Sequence, residues 1–403
     1  MSEEELVSGI AIVVDDEIDD TRANINALLK KIKGRMPCIA YSAIPKDAVL
    51  KHWKGVSFVL LDWKLENADV SAGKAEGVKI SDTVSQSIVD DNINFLTKLK
   101  DVCFVPVFIF TNEDVDAVKK ILCEKGLYQD GKPNYIFVES KADLIRGKKL
   151  FSRISEWIRN TPSIYVLKAW EIGYHKSKTK LFHDFYEISP VWPKILWKSF
   201  SDDGTNMAFE LSEVITRNLY TRMMPISFDE KVFRKRIRNA KKEEVLKIIE
   251  GDRYVRADQL PQGSISTGDL FKEEYQDNGT TKHRYFLNIR PQCDLLRTDK
   301  QEKTELYCLK GRVIHLTRAN RNKIFSSENG HFNEKTNNAI IAFIDEGKIV
   351  EFLFRNLKIS AWKDMKSKRI GRILPPFINR VQQRYALYIQ RQGLPRIPDK
   401  VIC

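Results

Sequence analysis

Short apolar runs recur in the first third of the chain, and a polar residue follows each of them. The runs are Ile10–Val14, Phe58–Leu61, Val107–Phe110 and Tyr135–Val138. Unbroken β-branched and aromatic runs of this length are typical of strands that are buried on both faces, as in a parallel sheet covered by helices. The pattern therefore predicts an α/β domain with a doubly wound parallel sheet.

The polar residues that follow these runs are Asp15, Asp16, Asp62, Thr111 and Lys141. The carboxyl ends of parallel strands line one edge of a sheet, so we expect these side chains to converge there. At ~4 Å and an effective dielectric constant of ~20, two carboxylates repel by roughly 4 kcal/mol, so three together require cations. Lys141 supplies one charge, and a divalent ion that prefers oxygen ligands, such as Mg²⁺, would supply the rest.

A carboxylate beside Mg²⁺, a lysine and a hydroxyl is suited to accepting a phosphoryl group, because this chemistry depends on positioning and charge neutralisation. Asp62 stands alone after the middle run and is the predicted acceptor. Asp15 and Asp16 are the predicted metal ligands. The alternative is that all of these are solvated residues at strand ends.

In this order, the five positions resemble the receiver domain of two-component response regulators, over residues 8–160. The resemblance implies a five-stranded sheet in which Asp62 is the phosphoacceptor and Asp15, Asp16 and Asp62 bind Mg²⁺. It also implies that Thr111 and Lys141 contact the phosphoryl group. The expected partner is a histidine kinase or a phosphotransfer protein, and the expected role is signal transduction in a phosphorelay.

A chain of 403 residues exceeds what one hydrophobic core usually organises, so we expect two or three domains. The predicted boundaries are a receiver-like domain at 1–160, a helical middle at 161–258 and a basic, β-rich effector at 259–403. Leu150, Ile154 and Ile158 recur at helical spacing. Aromatic residues between 170 and 197 are expected to form the core of the helical middle, which is a candidate dimerisation element for a homodimer.

The last third reads as short strands separated by polar turns, which predicts a small antiparallel barrel. A helix is expected to follow Pro375-Pro376 and to end near Gly393, with Phe377, Val381, Tyr385, Tyr388 and Gln392 along one stripe. The predicted strands are Gly268–Phe271, His283–Ile289, Leu306–Leu309, Val313–Leu316, Ala339–Phe343 and Ile349–Phe354.

Charge is unevenly distributed along the chain. Residues 1–140 hold 17 lysines and arginines against 23 aspartates and glutamates, whereas the remainder holds 50 against 31. The basic part is expected either to bind a polyanion or to attract the acidic part. We expect contacts with the backbone of DNA or RNA from an arginine set near the C-terminus. The set is Arg369, Arg372, Arg380, Arg384 and Arg391.

An enzymatic effector is the alternative to a nucleic-acid binder. Cys293 and Asp294 follow a predicted strand and offer a nucleophile or a metal ligand, and His283, His315 and His331 lie in the same region. Such an effector would hydrolyse nucleic acid or a nucleotide; a buried turn is the structural alternative. A non-catalytic protein-interaction adaptor is a third hypothesis. Receivers joined to unfamiliar effectors occur in bacterial phage-defence systems, and that setting is a hypothesis by analogy.

No apolar run reaches the ~18 residues of a membrane helix, and the chain starts with the acidic stretch Met1–Glu5. Six cysteines are scattered without a CxxC or zinc-like spacing. We therefore expect a cytoplasmic protein with reduced thiols and no membrane association.

Overall fold

The chain forms two compact units in the computed structural model. The first comprises Met1–Pro190 and Ile215–Arg236, and the second comprises Val191–Val214 and Ile237–Cys403. The structure describes residues 3–20, 24–65, 82–141, 150–234, 240–296, 301–315, 317, 332–336, 339–344 and 348–391.

A parallel five-stranded sheet forms the centre of the first unit, in the order β2-β1-β3-β4-β5. All four of its strand pairs are parallel. The predicted doubly wound parallel sheet is therefore confirmed. The strands are β1 (Ile10–Val14), β2 (Cys38–Tyr41), β3 (Val56–Asp62), β4 (Val107–Thr111) and β5 (Ile136–Ser140).

Helices cover both faces of this sheet, which explains why its strands are apolar throughout. Side chains alternate between the two faces along a strand, so Phe58 and Leu60 join one core while Val59 and Leu61 join the other. The helices of this unit are α1 (Glu3–Leu6), α2 (Asn24–Lys33), α3 (Asp47–Leu50), α4 (Asp82–Val102), α5 (Val115–Glu124), α6 (Leu150–Asn160) and α7 (Pro162–Ile188).

The middle of the chain is helical, as predicted. Leu150, Ile154 and Ile158 are buried on α6, and two further helices follow α7: α8 (Trp192–Asp202) and α9 (Met207–Met223). The expected aromatic core is wrong in part, because Trp170 is 42% exposed and Tyr186 is 60% exposed. A helix of 27 residues is about 40 Å long. Only its first turns, at Ile164 and Tyr165, join the core beside the sheet.

The second unit is built on one antiparallel sheet of eight strands, in the order β10-β11-β12-β9-β8-β7-β13-β6. The sheet curls, but within the described residues it stays open between β10 and β6, so it is not a closed barrel. Its strands are β6 (Tyr254–Arg256), β7 (Asp269–Asp277), β8 (Thr280–Asn288), β9 (Glu305–Ile314), β10 (Phe332–Thr336), β11 (Ala339–Ile344), β12 (Lys348–Ala361) and β13 (Arg369–Ile373). The helices that accompany it are α10 (Lys242–Gly251), α11 (Gln292–Leu296), α12 (Trp362–Met365) and α13 (Phe377–Gln390).

Two predicted strands, Leu306–Leu309 and Val313–Leu316, are one continuous strand up to Ile314, and Leu316 lies outside the described residues. Gly311 lies at the expected turn. A Cβ added to it would lie 2.6 Å from Val350 Cγ1 and 2.8 Å from Phe352 Cε1. The glycine is needed because these two side chains pack directly over the backbone of β9.

The predicted C-terminal helix is present as α13. Ile378 and Val381 are buried in the core of the sheet, and Phe377, Tyr385 and Tyr388 pack against that core. The predicted apolar stripe is thus confirmed over the described residues, and Gln392 lies outside them. Among the helices in the described ranges, none has both the length and the apolar character to cross a membrane.

Gly371 on β13 offers a direct test of the packing at this edge of the sheet. A Cβ at this position would overlap the Tyr254 ring and the Val255 carbonyl oxygen. We expect Gly371→Ala to lower the free energy of unfolding by about 1–3 kcal/mol, as overpacked cores do. Urea unfolding monitored by tryptophan fluorescence measures this change.

Gly251→Ala is the matched control, because nothing lies within 4 Å of the Cβ that it would add. It should change stability by less than about 0.5 kcal/mol. Equal urea midpoints for the two variants would contradict the packing described at Gly371.

Candidate functional site

Four strands of the first unit deliver polar side chains to the carboxyl edge of the sheet. Asp15 follows β1 directly, Asp62 ends β3, Thr111 ends β4 and Lys141 follows β5 directly. Their exposed fractions are 0%, 5%, 0% and 9%, respectively. The strand order reverses between β1 and β3, so Asp15 and Asp62 flank the crevice where sheets of this type bind ligands.

Lys141 joins the two buried carboxylates. Its ammonium nitrogen lies 2.6 Å from Asp62 Oδ2 and 3.1 Å from Asp15 Oδ2. Charge-assisted hydrogen bonds of this length are short and strong. The predicted convergence of these three residues is therefore observed.

Local backbone donors hold the other oxygen of each carboxylate. Glu17 N–H donates to Asp15 Oδ1 at 3.0 Å, which caps a 3₁₀ helix at Asp16–Asp19. Lys64 N–H donates to Asp62 Oδ1 at 3.2 Å. Each carboxylate is thus fixed through one oxygen by its own loop and through the other by Lys141.

The Thr111 side chain is fixed in a similar way. Glu113 N–H donates to Thr111 Oγ1 at 2.9 Å, so the hydroxyl acts as an acceptor in this contact. Its own hydrogen is not committed to any acceptor in the described part of the chain. The Thr111 hydroxyl therefore keeps an uncommitted donor at the carboxyl end of β4.

Three carboxylates fit a divalent cation at this edge. Oxygen atoms of Asp15, Asp16 and Asp62 lie within 4.8 Å of one another, and Asp16 is half-buried while the other two are buried. Together with Lys141 the set carries a formal charge of −2, which a hard divalent ion would neutralise. Mg²⁺ prefers a few carboxylates together with water and phosphate oxygens, and this set supplies the carboxylates.

The electrostatics of the site are dominated by burial. Burial raises the pKa of Asp62, Lys141 opposes this rise, and the charge of Asp15 adds to it. Burial acts against the charged form of Lys141, but attraction and hydrogen bonds from Asp62 and Asp15 together raise the pKa of Lys141. The lysine is therefore firmly cationic, whereas Asp62 binds a proton more readily than a free aspartate does.

Asn92 on α4 was not among the residues predicted from the sequence. Asn92 is fully buried, and its side-chain amide donates to the Trp63 carbonyl at 2.6 Å, next to Asp62. A signal was available, because Asn92 interrupts an apolar stripe at helical spacing between Ile88 and Leu96. Asn92 thus fixes the backbone that follows Asp62.

The loops after β3 and β4 are also joined by an ion pair that the sequence did not suggest. Lys64 Nζ lies 3.0 Å from Glu113 Oε1, and both side chains are about half exposed. Exposed pairs of this kind contribute roughly 0–1 kcal/mol to stability. The pair therefore adds little to the fold, but it links the loops that follow Asp62 and Thr111.

Two of the predicted polyanion contacts lie in an internal cluster of the second unit. Arg372 Nε donates to Asp269 Oδ1 at 2.7 Å, and Arg369 Nη1 lies 3.8 Å from the same oxygen. Their side chains are 16% and 9% exposed, respectively, and that of Asp269 is fully buried. Arg369 also donates to the Ser264 carbonyl. These two arginines neutralise a buried carboxylate at the junction of β7 and β13, so removing either one would leave part of that buried charge uncompensated.

The remaining predicted contacts lie at the terminal helix. Arg380 and Arg391 are exposed, and Arg384 is half-buried. Arg391 follows α13 directly, and its guanidinium lies 4.1 Å from the centre of the Tyr388 ring. The predicted arginine set is therefore divided in the structure, because Arg369 and Arg372 are largely enclosed whereas the arginines at the terminal helix are more exposed.

The proposed nucleophile Cys293 lies exposed on the short helix α11. Its sulfur lies 3.5 Å from Asp294 Oδ1, and no described histidine is hydrogen-bonded to it. His283 lies on β8, 3.7 Å from a Glu274 oxygen, and His331 lies outside the described residues. No Cys–His pair of the kind that activates a thiol is formed within the described residues.

Comparison of the chain with protein-family models gives no match, and a search of curated proteins gives none either.

The coupling of Asp15, Asp62 and Lys141 predicts opposite effects of two substitutions on one pKa. Lys141→Met removes the cation, so the pKa of Asp62 should rise further above 3.8. Asp15→Asn removes a repelling charge and leaves Asp62 as the only carboxylate of this pair that contacts Lys141. The pKa of Asp62 should therefore fall. NMR titration of ¹³C-labelled aspartate in metal-free protein measures both shifts.

The same coupling makes a prediction for stability against pH. An aspartate with a raised pKa in the folded state holds its proton more tightly when folded. The stability of Lys141→Met should therefore fall as pH rises from about 4 through the raised pKa, more steeply than that of the wild type. Parallel pH profiles for the two proteins would contradict the ion pairing described here.

Proposed function

We propose that the first unit is a receiver-like phosphoacceptor domain in which Asp62 accepts a phosphoryl group in the presence of Mg²⁺. One observation carries the proposal: a buried lysine contacts Asp62 at 2.6 Å while two further aspartates meet Asp62 at the same edge. A structural ion pair would need one carboxylate for one lysine. A divalent cation would account for the excess negative charge.

The strand order gives the proposal further support. The order 2-1-3-4-5 is one of the two common doubly wound strand orders, and receiver domains have it. The residues proposed for the chemistry stand at four strand ends around the switch point of that order. Fold likeness alone does not establish an activity, so the proposal depends on the arrangement of the side chains.

In the proposed reaction, an Asp62 carboxylate oxygen attacks the phosphorus of a phosphohistidine on a histidine kinase or phosphotransfer protein. A P–O bond to Asp62 forms, the P–N bond of the donor breaks, and the imidazole leaves with the electron pair. Lys141 stays cationic and neutralises charge on the transferred group, while the Thr111 hydroxyl donates to one of its oxygens. Mg²⁺, held by Asp15, Asp16 and Asp62, would supply further charge neutralisation.

We further propose that the second unit is the effector, that it binds nucleic acid, and that phosphorylation of Asp62 switches it. The excess of basic over acidic residues beyond residue 140 supports a polyanionic partner. An enzymatic effector has less support, because Cys293 lacks a described histidine partner. The free state of the five described cysteines is consistent with a reducing compartment such as the cytoplasm.

The phosphoacceptor assignment predicts the outcome of labelling with a small phosphodonor. Incubation with radiolabelled acetyl phosphate and Mg²⁺ should label the wild type with phosphate that hydroxylamine releases, as expected for an acyl phosphate. Asp62→Asn should remove the label, because an amide oxygen cannot replace the carboxylate nucleophile. Chelation of Mg²⁺ should remove it as well.

Asp116→Asn is the matched control, since its carboxylate lies in the same unit and is 87% exposed. This variant should be labelled like the wild type. Persistent hydroxylamine-sensitive label on Asp62→Asn, or no label on any protein at saturating Mg²⁺, would refute the assignment.

A further inference from the structure

The two faces of the eight-stranded sheet differ in what covers them. Leu287 and Leu309 point to the face on which α13 packs. Phe286 and Cys308 alternate with them and point to the opposite face, where they meet Trp362 of α12. We call this opposite face the outer face of the sheet.

Several cations share the outer face beyond Phe286 and Cys308. Arg284 lies two residues from Phe286 on β8, and Lys310 and Arg312 lie two and four residues from Cys308 on β9. Lys358 of β12 stands opposite Cys308, and its ammonium lies 5.2 Å from the centre of the Phe286 ring. Three adjacent strands therefore present positive charge on the same side of the sheet.

Two carboxylates of this face are already engaged with other cations. Glu351 is bonded to Arg312 at 2.6 Å, and Glu273 is bonded to Lys368 at 2.7 Å. The hydrogen bond from Lys368 lowers the pKa of Glu273, and the charges of Lys358 and Arg284 act in the same direction. Three cations, Arg284, Lys310 and Lys358, remain without an ion pair to any described carboxylate.

These three cations form a line across the sheet. Arg284 stands directly opposite Arg312, so Lys310 is its diagonal neighbour, and Lys358 stands opposite Cys308, so Lys310 is its diagonal neighbour as well. Diagonal neighbours on an antiparallel pair are about 7–8 Å apart. A line of this length is too extended for a single small anion and fits successive charges on a linear polyanion.

We propose that the outer face of the sheet binds the sugar–phosphate backbone of nucleic acid, with Arg284, Lys310 and Lys358 each contacting a different phosphate. This inference rests on the nucleic-acid part of the proposed function and gives it a location different from α13. Arg284 lies 4.4 Å from the centre of the Tyr275 ring, so two of the three cations are supported by an aromatic side chain. Such contacts position the nucleic-acid backbone and carry no information about the base sequence.

The test measures the salt dependence of binding to fluorescein-labelled oligonucleotides by anisotropy. Single-stranded DNA, RNA of the same sequence and the DNA duplex are the probes. Each phosphate contact contributes about 0.7–0.9 to the slope of log K against log salt. The combined variant Arg284→Gln, Lys310→Gln, Lys358→Gln should lose about 2 from this slope, and roughly a hundredfold in affinity at about 0.1 M salt.

Two further variants keep the test decisive. Lys310→Gln alone should reduce the magnitude of the salt slope by about 0.7–0.9. This single variant replaces the combined variant in the test if the combined variant loses its native circular dichroism spectrum. Lys282→Gln is the control, because Lys282 is an exposed cation on the same strand that already pairs with Asp277 at 2.6 Å. It should bind like the wild type.

Several outcomes would overturn the proposal. One is an unchanged salt slope in folded variants of Arg284, Lys310 and Lys358. Another is a loss of binding only in the double variant Arg380→Gln, Arg384→Gln. A third is competition by polyglutamate as strong as that by unlabelled nucleic acid, which would indicate an acidic protein partner. Binding is measured for the wild type with and without acetyl phosphate and for Asp62→Asn. Nucleic-acid binding that depends on Arg284, Lys310 and Lys358, without any phosphate label on Asp62, would refute only the phosphoacceptor role. Phosphate label on Asp62 without nucleic-acid binding would refute only the binding role of the outer face.

Discussion

One buried ammonium group shared by two buried aspartates organises the first unit. Lys141 follows β5 and contacts the side chains that follow β1 and end β3, so it ties three strands of the sheet at one edge. Burying each of these charges costs several kcal/mol, and one lysine does not neutralise two carboxylates. Stability alone does not favour such a set, and its chemistry explains its presence better than its contribution to folding does.

The first unit could be predicted closely from the sequence, because its signals were local. Strands buried on both faces are apolar throughout, so the polar residues after Val14, Leu61 and Phe110 were conspicuous. Parallel strands joined by helical crossovers then leave few ways to arrange those residues. The convergence of Asp15, Asp62 and Lys141 followed from the topology.

The second unit was harder to predict because its decisive features depend on distant partners. Lys310-Gly311-Arg312 has the composition of a turn, yet Val350 and Phe352 make it part of a strand. Arg369 and Arg372 look like surface cations until Asp269, about 100 residues earlier, is placed beside them. The line of cations on the outer face depends on the register of three strands, which no local pattern in the sequence encodes.

Asn92 couples the chemistry of the site to the mechanics of the unit. Its amide holds the carbonyl beside Asp62 at 2.6 Å, and the helix that carries it packs Phe95, Leu96 and Leu99 into the core of the sheet. A displacement of that carbonyl would leave a buried donor without an acceptor unless the helix moves as well. The loop after Asp62 and the 21-residue helix are therefore joined by a buried hydrogen bond, so the position of that loop is tied to the packing of a long helix.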